Sequence, residues 1–333
     1  MSIINGVGLA NSIWCNGVPE TSGAVRVKDY AASWVSRRSW RLSSLERVTL
    51  VLNSQVIPQF GDRELQAVTA SDVQAWVWEM SKTLAPSTAD SYFRVLVALM
   101  RSAAKDNLVD HNPCRAVILP KTQRRPSDRN PLVELEVHAI AVAVPQRFRA
   151  LVLASAGLGL RQGEACGLTP DRIDFRSRQV TIDRQLVCNH REPPSLAPPT
   201  TVASVRTIPL PEVIGEVLAQ HIATYEVRSD GLVFTTTDGS ALNRRAWNRI
   251  LRSAAHSVSI DATSHDLRHH AASLLIGSGC SVETVRSFLG HATAAQTLHT
   301  YGHLWLNDDD RVRASIDSAY RDTLKAGAPD RRA

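Results

Sequence analysis

The sequence predicts a mainly α-helical protein in two domains, the second carrying a small β-sheet. Three observations predict this. From Val25 to about Asp110, apolar residues recur at helical spacing. A proline-rich stretch from Asn112-Pro113 to Asn130-Pro131 then breaks the pattern, with five charges between Lys121 and Arg129. Beyond it, helical segments resume around only two stretches with strand character. A length of 333 residues suits two domains at roughly 100–200 residues each.

Taken in order, residues 1–22 lack periodicity, include Gly6, Gly8, Gly17 and Pro19, and read as a tail. Residues 23–112 read as a four-helix domain. Val27, Tyr30, Trp34 and Val35 mark one apolar stripe, and Leu45, Val48, Leu52 and Val56 a second. Thr69 or Ser71, with Asp72 in the first turn, opens a third helix carrying Val73, Trp76, Val77 and Met80. Ser87 opens the fourth, in which Tyr92, Leu96, Leu99 and Ala103 recur, while Pro58, Gly61 and Pro86 punctuate the bundle. Residues 113–130 read as a basic linker and residues 131–333 as the second domain. That domain begins with an Asn130-Pro131 cap and a helix through Leu135 and Ile140, then an apolar helix from Phe148 to Leu160. The strand-like stretches are Arg178–Ile182 and Val205–Leu210, separated by a polar, proline-rich segment from His190 to Ser204. Helices follow from Glu212, around Asn243–Ala255, and at Ser264–Leu275, Ser281–Phe288 and Ala294–Tyr301, with Gly277, Gly279 and Gly290 as stops.

Composition narrows the function classes. No apolar run approaches the roughly 18–20 residues that span a bilayer, and the N-terminus lacks the basic flank of a secretory signal. The five cysteines are scattered and show no CxxC pair, which argues against a disulfide framework or zinc ribbon and for a reducing cytoplasm. The net charge of +6 is carried by 33 Arg and only 5 Lys. Residues 1–130 hold 16 basic against 11 acidic side chains, and residues 131–333 hold 22 against 21. The front domain therefore has the electrostatic footprint of a nucleic-acid binder.

Six of the eleven histidines fall between positions 265 and 303. His265 and Arg268 are three apart, so a helix capped at Ser264 projects both from one face. Guanidinium offers a rigid fork of donors to two phosphate oxygens, and imidazole adds another donor, so the pair suits a phosphate. His265 and His269 also have an i,i+4 zinc-like spacing, but no nearby Cys or HExxH glutamate completes a metal site.

Four motifs in this order carry a resemblance: Gly157-Leu158-Gly159-Leu160-Arg161-Gln162-Gly163-Glu164, His265-Asp266-Leu267-Arg268, Leu289-Gly290-His291, and Tyr301 followed by Gly302-His303-Leu304. Across about residues 25–320 the sequence resembles the tyrosine recombinases of the phage-integrase family. The resemblance implies an N-terminal four-helix core-binding (SAM-like) domain and a mixed α catalytic domain with a small β-sheet, together forming a C-shaped DNA clamp. It implies that Tyr301 attacks a scissile phosphodiester, leaving a 3′-phosphotyrosyl link and a 5′-hydroxyl. Arg161 and Arg268 would clamp the non-bridging oxygens, His291 would add a hydrogen bond, and His265 would act as general base or orient the tyrosine. Glu164 would position Arg161 or a neighbour. The bond energy is kept in the phosphotyrosine, so religation needs neither ATP nor metal.

The resemblance also implies a general-acid lysine on a β-hairpin before the segment matching Arg206-Thr207-Ile208-Pro209-Leu210. Thr200 stands there instead, and no lysine occurs between Lys121 and Lys325. The chain is then a weakened enzyme, or another group supplies the proton, or the lysine has been lost. Arg37, Arg38, Arg41, Arg94, Arg101 and Lys105 on the front bundle, and Arg244, Arg245 and Arg249 in the second domain, are candidate DNA contacts. Residues 1–22 are too short for an arm-site-binding domain, which fits a simpler recombinase or a shortened chain. The helix-like segment Val312–Leu324 would pack onto a neighbouring protomer. Expected partners are double-stranded DNA attachment sites, three further copies in a homotetrameric synapse, a DNA-bending host factor and an excisionase, with no membrane and a location in the cytoplasm at the nucleoid. The leading expectation is a phage or mobile-element integrase. The alternatives are a Xer-like chromosome-dimer resolvase and a catalytically weakened DNA-binding relative.

Overall fold

The computed structural model describes residues 24–120, 131–188, 193–227, 231–305 and 309–325; the expected tail and the basic half of the expected linker lie outside them. Two units pack separately, residues 1–128 and 129–333.

The first unit is built from α1 (Val27–Ser36), α2 (Leu42–Val51), α3 (Ile57–Phe60), α4 (Ala70–Thr83) and α5 (Pro86–Lys105). A π-helical turn, Leu52–Val56, joins α2 to α3, so four helical rods result. Pro58 does not punctuate the bundle as the sequence suggested. It lies in the first turn of α3, and the π turn ahead of it is where its missing N–H and its ring disturb the regular ladder. Thr69 caps α4 by accepting the Asp72 N–H at 3.2 Å, and the Asp72 carboxylate returns the bond to Thr69 N at 3.0 Å. Ser87 does not open α5: Ala85 is the cap and Pro86 occupies the first turn, where a proline's missing N–H costs nothing. Trp34, Phe60, Trp76, Leu96, Leu99 and Met100 fill the core, with Phe60 and Trp76 edge to face at 5.5 Å.

The stretch expected to begin a linker at 113 instead closes this core. Pro113 and Cys114 are buried in a 3₁₀ turn. Gln74 reads Ile118 as a strand would, donating to its carbonyl at 3.0 Å and accepting its N–H at 2.8 Å.

In the second unit, α6 (Glu134–Ala143) and α7 (Gln146–Gly157) lead to the short α8 (Gln162–Cys166). The cap of α6 is Val133, whose N–H donates to Glu136 at 2.9 Å, and not Asn130-Pro131. Strands β1 (Ile173–Asp174), β2 (Gln179–Ile182) and β5 (Arg206–Pro209) form an antiparallel sheet in the order β1-β2-β5, with Val180 opposite Ile208 and Ile182 opposite Arg206. Between β2 and β5, β3 (Gln185–Val187) and β4 (Ser195–Ala197) pair as a second sheet, so part of the segment expected to be irregular is a hairpin arm. Helices α9 (Glu212–Thr224), α10 (Arg244–Ser257), α11 (Ser264–Gly277), α12 (Val282–Leu289), α13 (Ala294–Tyr301) and α14 (Asp309–Lys325) complete it. The main core gathers Leu151, Leu160, Val180, Ile208, Trp247 and Leu267. A smaller one, of Ala272, Ile276, Val285, Leu289 and Tyr301, joins α11, α12 and α13. No helix among the described residues is long and apolar enough to cross a membrane.

Candidate active site

Two glycines shape the ground on which the site stands. Gly159 turns the chain from α7 into α8 at φ +58, and a Cβ there would meet Leu289 Cδ2 at 2.8 Å. Gly290 ends α12 in the left-handed conformation at φ +64, where only glycine is without steric cost. The flanking Leu158 and Leu160 are fully buried, which leaves Arg161 at the lip of α8 with its side chain part-exposed.

Glu164 is 2% exposed and holds three groups. Its carboxylate accepts Arg161 N at 2.9 Å and Arg161 Nη1 at 2.8 Å. It also accepts Arg206 Nη1 at 3.2 Å and Nη2 at 3.0 Å. Burial pushes the Glu164 carboxyl up, but the hydrogen bonds and charge of Arg206, then of Arg161, outweigh it and hold the group below its ordinary value. The second amino group of Arg161 donates to Gly290 O at 2.8 Å.

On α11 the cap is Thr263 rather than Ser264, because Thr263 and Asp266 form the reciprocal box and Ser264 turns inward. Arg268, one turn on, is 2% exposed. It donates to Gly159 O at 2.6 Å and Leu289 O at 2.5 Å, so both motif loops anchor it. Burial first, then Arg161, pulls its pKa down to about 9, which leaves it charged at neutral pH. His265, on the same face, is exposed. Its pKa is lowered by partial desolvation and by Arg268.

His291 is buried beneath Gly290, its Nδ1 2.9 Å from Thr297 Oγ1. Its ring stacks on that of Tyr301 at 6.2 Å with a 9° interplanar angle. Burial and the charges of Arg268, Arg161 and Arg206 bring its pKa to about 4. Tyr301 closes α13 and is 2% exposed. Burial raises its pKa, and Arg268 and Arg161 pull it part of the way back. A third imidazole, His269, meets the opposite side of the constellation: it lies 5.0 Å from Tyr301 and 4.3 Å from His265. The structure thus brings Arg161, Glu164, Arg268, His291 and Tyr301 around the Gly290 turn, with His265 in contact with His269.

Thr200 is exposed at the start of a turn that runs through Val202–Ser204. This turn abuts the site, since a Cβ on Gly290 would lie 3.0 Å from Ala203 O. Arg244, Arg245 and Arg249 are exposed on α10. The carbonyl of Arg244 accepts Gln162 Nε2 at 3.1 Å, which sets the start of α10 beside the residue after Arg161. In the first unit, Arg94, Arg101 and Lys105 form one exposed stripe along α5, and Arg41 is exposed ahead of α2. Arg37 pairs with Asp106 at 3.2 Å, Arg94 with Asp90 at 3.0 Å, and Arg38 lies over the rings of Trp34 and Trp40.

Sequence reasoning missed Arg206 and His269. Arg206 had a signal: with Ile208 and Leu210 it falls on the inward file of a strand, and a guanidinium in such a file demands a buried partner. His269 had only its i,i+4 spacing from His265, which sets the two rings on one face; its contact with Tyr301 depends on where α13 returns.

The family model described as the phage integrase family matches residues 132–307, and that of the phage integrase central domain matches residues 27–118. The chain belongs to the phage integrase family. It is a site-specific tyrosine recombinase, an enzyme that breaks and rejoins DNA. The prophage phiRv2 integrase of Mycobacterium tuberculosis is 28% identical over 296 residues, 86% of this recombinase and 77% of the relative. The integrase of Mycobacterium phage D29 is 26% identical, over 82% and 73%. A XerC-like tyrosine recombinase of Caldanaerobacter subterraneus matches less of each chain, 61% and 58% at 26% identity. In fold, the recombinase is similar to the Tn1549 transposon integrase in complex with a circular intermediate DNA, with a TM-score of 0.75, 21% identity, and coverage of 88% of this chain and 99% of that one. It is also similar to a lambda integrase dimer bound to a core site, at 0.64, 15%, 82% and 97%.

Proposed function

We propose that this recombinase integrates phage or mobile-element DNA by forming a 3′-phosphotyrosyl link at Tyr301. The observation that supports it best is the convergence of Tyr301, Arg161, Arg268 and His291 on the single turn at Gly290. The Tyr301 oxygen bonds to phosphorus as the bond to the 5′-oxygen breaks, and the phenolic proton passes to a base, for which His265 is the candidate. Arg161, whose guanidinium is part-exposed, and Arg268, fixed from behind by two carbonyls, hold the non-bridging oxygens. In the tautomer whose Nδ1 accepts the Thr297 hydroxyl, Nε2 of His291 carries the hydrogen and donates to the same oxygens. Glu164 positions Arg161. The arginines supply the positive charge here and the histidines neutral polar groups, so no step calls for metal or ATP, and cleavage is expected to proceed in EDTA.

The basic candidates in both units are read as phosphate contacts. The exposed stripe Val312, Ile316 and Tyr320 on α14 has the i, i+4, i+8 spacing of a docking face. We read it as the contact with a neighbouring copy in a homotetramer on DNA; a lambda integrase tetramer bound to a Holliday junction is among the proteins of similar fold. A DNA-bending host factor and an excisionase complete the expected set, each tested by adding it to the integration and excision reactions.

The test uses nicked duplexes cut from the DNA that flanks the gene. The wild-type protein should leave a denaturation-resistant adduct, and Tyr301→Phe should leave none. An adduct that persists in Tyr301→Phe removes Tyr301 as the nucleophile.

A further inference from the structure

A carboxylate beside a phosphate-binding arginine is a hazard. If Glu164 faced only Arg161, the pair would be close to neutral, and Arg161 would have little charge left for a phosphate. The structure avoids this with a third arginine. Arg206 comes from β5, 42 residues along the chain from Glu164, and is buried with it; the two side chains are 5% and 2% exposed. The pair is bidentate. Two further donors of Arg206 go to carbonyls, to Phe288 O at 2.8 Å and Ser204 O at 3.0 Å. One side chain therefore ties together α8, the turn that carries Thr200, and the end of α12 that leads into Gly290 and His291.

We propose that Arg206 is a positioning residue for DNA cleavage: by engaging Glu164 it leaves Arg161 a positive charge directed at the scissile phosphate. The inference rests on the reading of Arg161 as a phosphate ligand. The charged groups around Glu164 are Arg161 at the start of its own helix, Arg206 on β5 and Arg268 on α11, and His291 after α12 feels the same three arginines. Three guanidiniums thus share one carboxylate. Removing Arg206 leaves Glu164 hydrogen-bonded to Arg161 alone, and the buried carboxyl then titrates higher.

The experiment is single-turnover adduct formation on the nicked duplexes, with folding followed by circular dichroism. Arg206→Met should slow the reaction by about 10²–10³-fold, the range for loss of one preorganised donor system at a reacting centre. Its rate should recover as pH falls from about 8 to 6, because protonation of Glu164 releases Arg161; the wild type should show no such rise. Arg206→Lys, which keeps the charge, should restore much of the rate. The decisive variant is Arg206→Met with Glu164→Gln, which removes the unbalanced carboxylate and should react at least about tenfold faster than Arg206→Met alone. A merely structural arginine predicts the opposite, since the double variant has lost more bonds. A folded double variant as slow as Arg206→Met overturns the proposal. If Arg161→Ala is inactive and Arg206→Met cleaves like the wild type, this proposal alone falls. If Arg161→Ala cleaves like the wild type, the underlying reading falls with it.

Discussion

The ring of His269 meets that of Tyr301 edge to face, 5.0 Å between centroids and 65° apart, and also meets that of His265 at 4.3 Å. His269 therefore touches both the nucleophile and the histidine that the family resemblance nominates as base. His269 is neutral at physiological pH, its pKa brought to about 4 by burial and by His265, so it can wall the tyrosine without adding charge. An edge-to-face pair contributes about 0.5–1.5 kcal/mol beyond its area. His269→Phe should keep the contact and cleave within about twofold of the wild type, while His269→Ala should be about 2–10-fold slower. Adduct formation in a single turnover measures both.

Acid should weaken the second unit through two rings, one buried and one part-buried. His269 and His291 have pKa values of about 4 in the folded chain, against about 6.5 for an unperturbed histidine. Between those values the unfolded chain binds more protons, so stability falls as pH falls, by up to about 1.4 kcal/mol per pH unit for each ring. Urea midpoints should be flat from pH 8 to 7 and decline from about 6.5 towards 4. Replacing His291 by Asn should make that decline shallower. An unchanged slope would count against a neutral, buried His291.

Thr200 occupies the place where the family resemblance puts a general acid, on a turn held against Gly290 and Arg206. A threonine hydroxyl is a poor acid at neutral pH. Thr200→Lys should speed cleavage of the nicked duplex, towards the 10²–10⁴-fold that general acid catalysis typically contributes. An unchanged rate would show that this position plays no part in protonating the leaving oxygen.

Gly290→Ala tests the turn itself. Its φ of +64 disfavours any side chain, and the new Cβ would sit 3.0 Å from Ala203 O and from Arg206 Nη1. The change should cost about 1–3 kcal/mol of stability, the scale of a strained backbone site. It should also lower cleavage more than thermal melting alone accounts for, because Arg161 donates to the carbonyl of this residue.

What the sequence disclosed follows from how local each signal is. Thr69 with Asp72 announced a helix start because both halves of the cap lie within four residues. The four motifs were legible because each is short and their order is distinctive. The β3–β4 hairpin was not: its arms are three residues each, and β4 lies between Pro193-Pro194 and Pro198-Pro199, so composition masks the pairing. The end of the first unit was read too early at 113, because Gln74, forty-four residues away, is what holds Ile118. Arg206 and His269 belong to the same class, with partners 42 and 32 residues away along the chain.

Arg268 is buried with two carbonyls and, among the described residues, forms no ion pair with a carboxylate of its own. Positive charge removed from water with only a share of one carboxylate to balance it disfavours the folded state. A species that brings negative charge to this spot and binds only the folded chain stabilises it by mass action. On the proposed reading of Arg268, the nucleic acid backbone doubles as a stabiliser of the fold that cuts it. Inorganic phosphate or sulfate is the simplest additive that tests this, by raising the thermal midpoint.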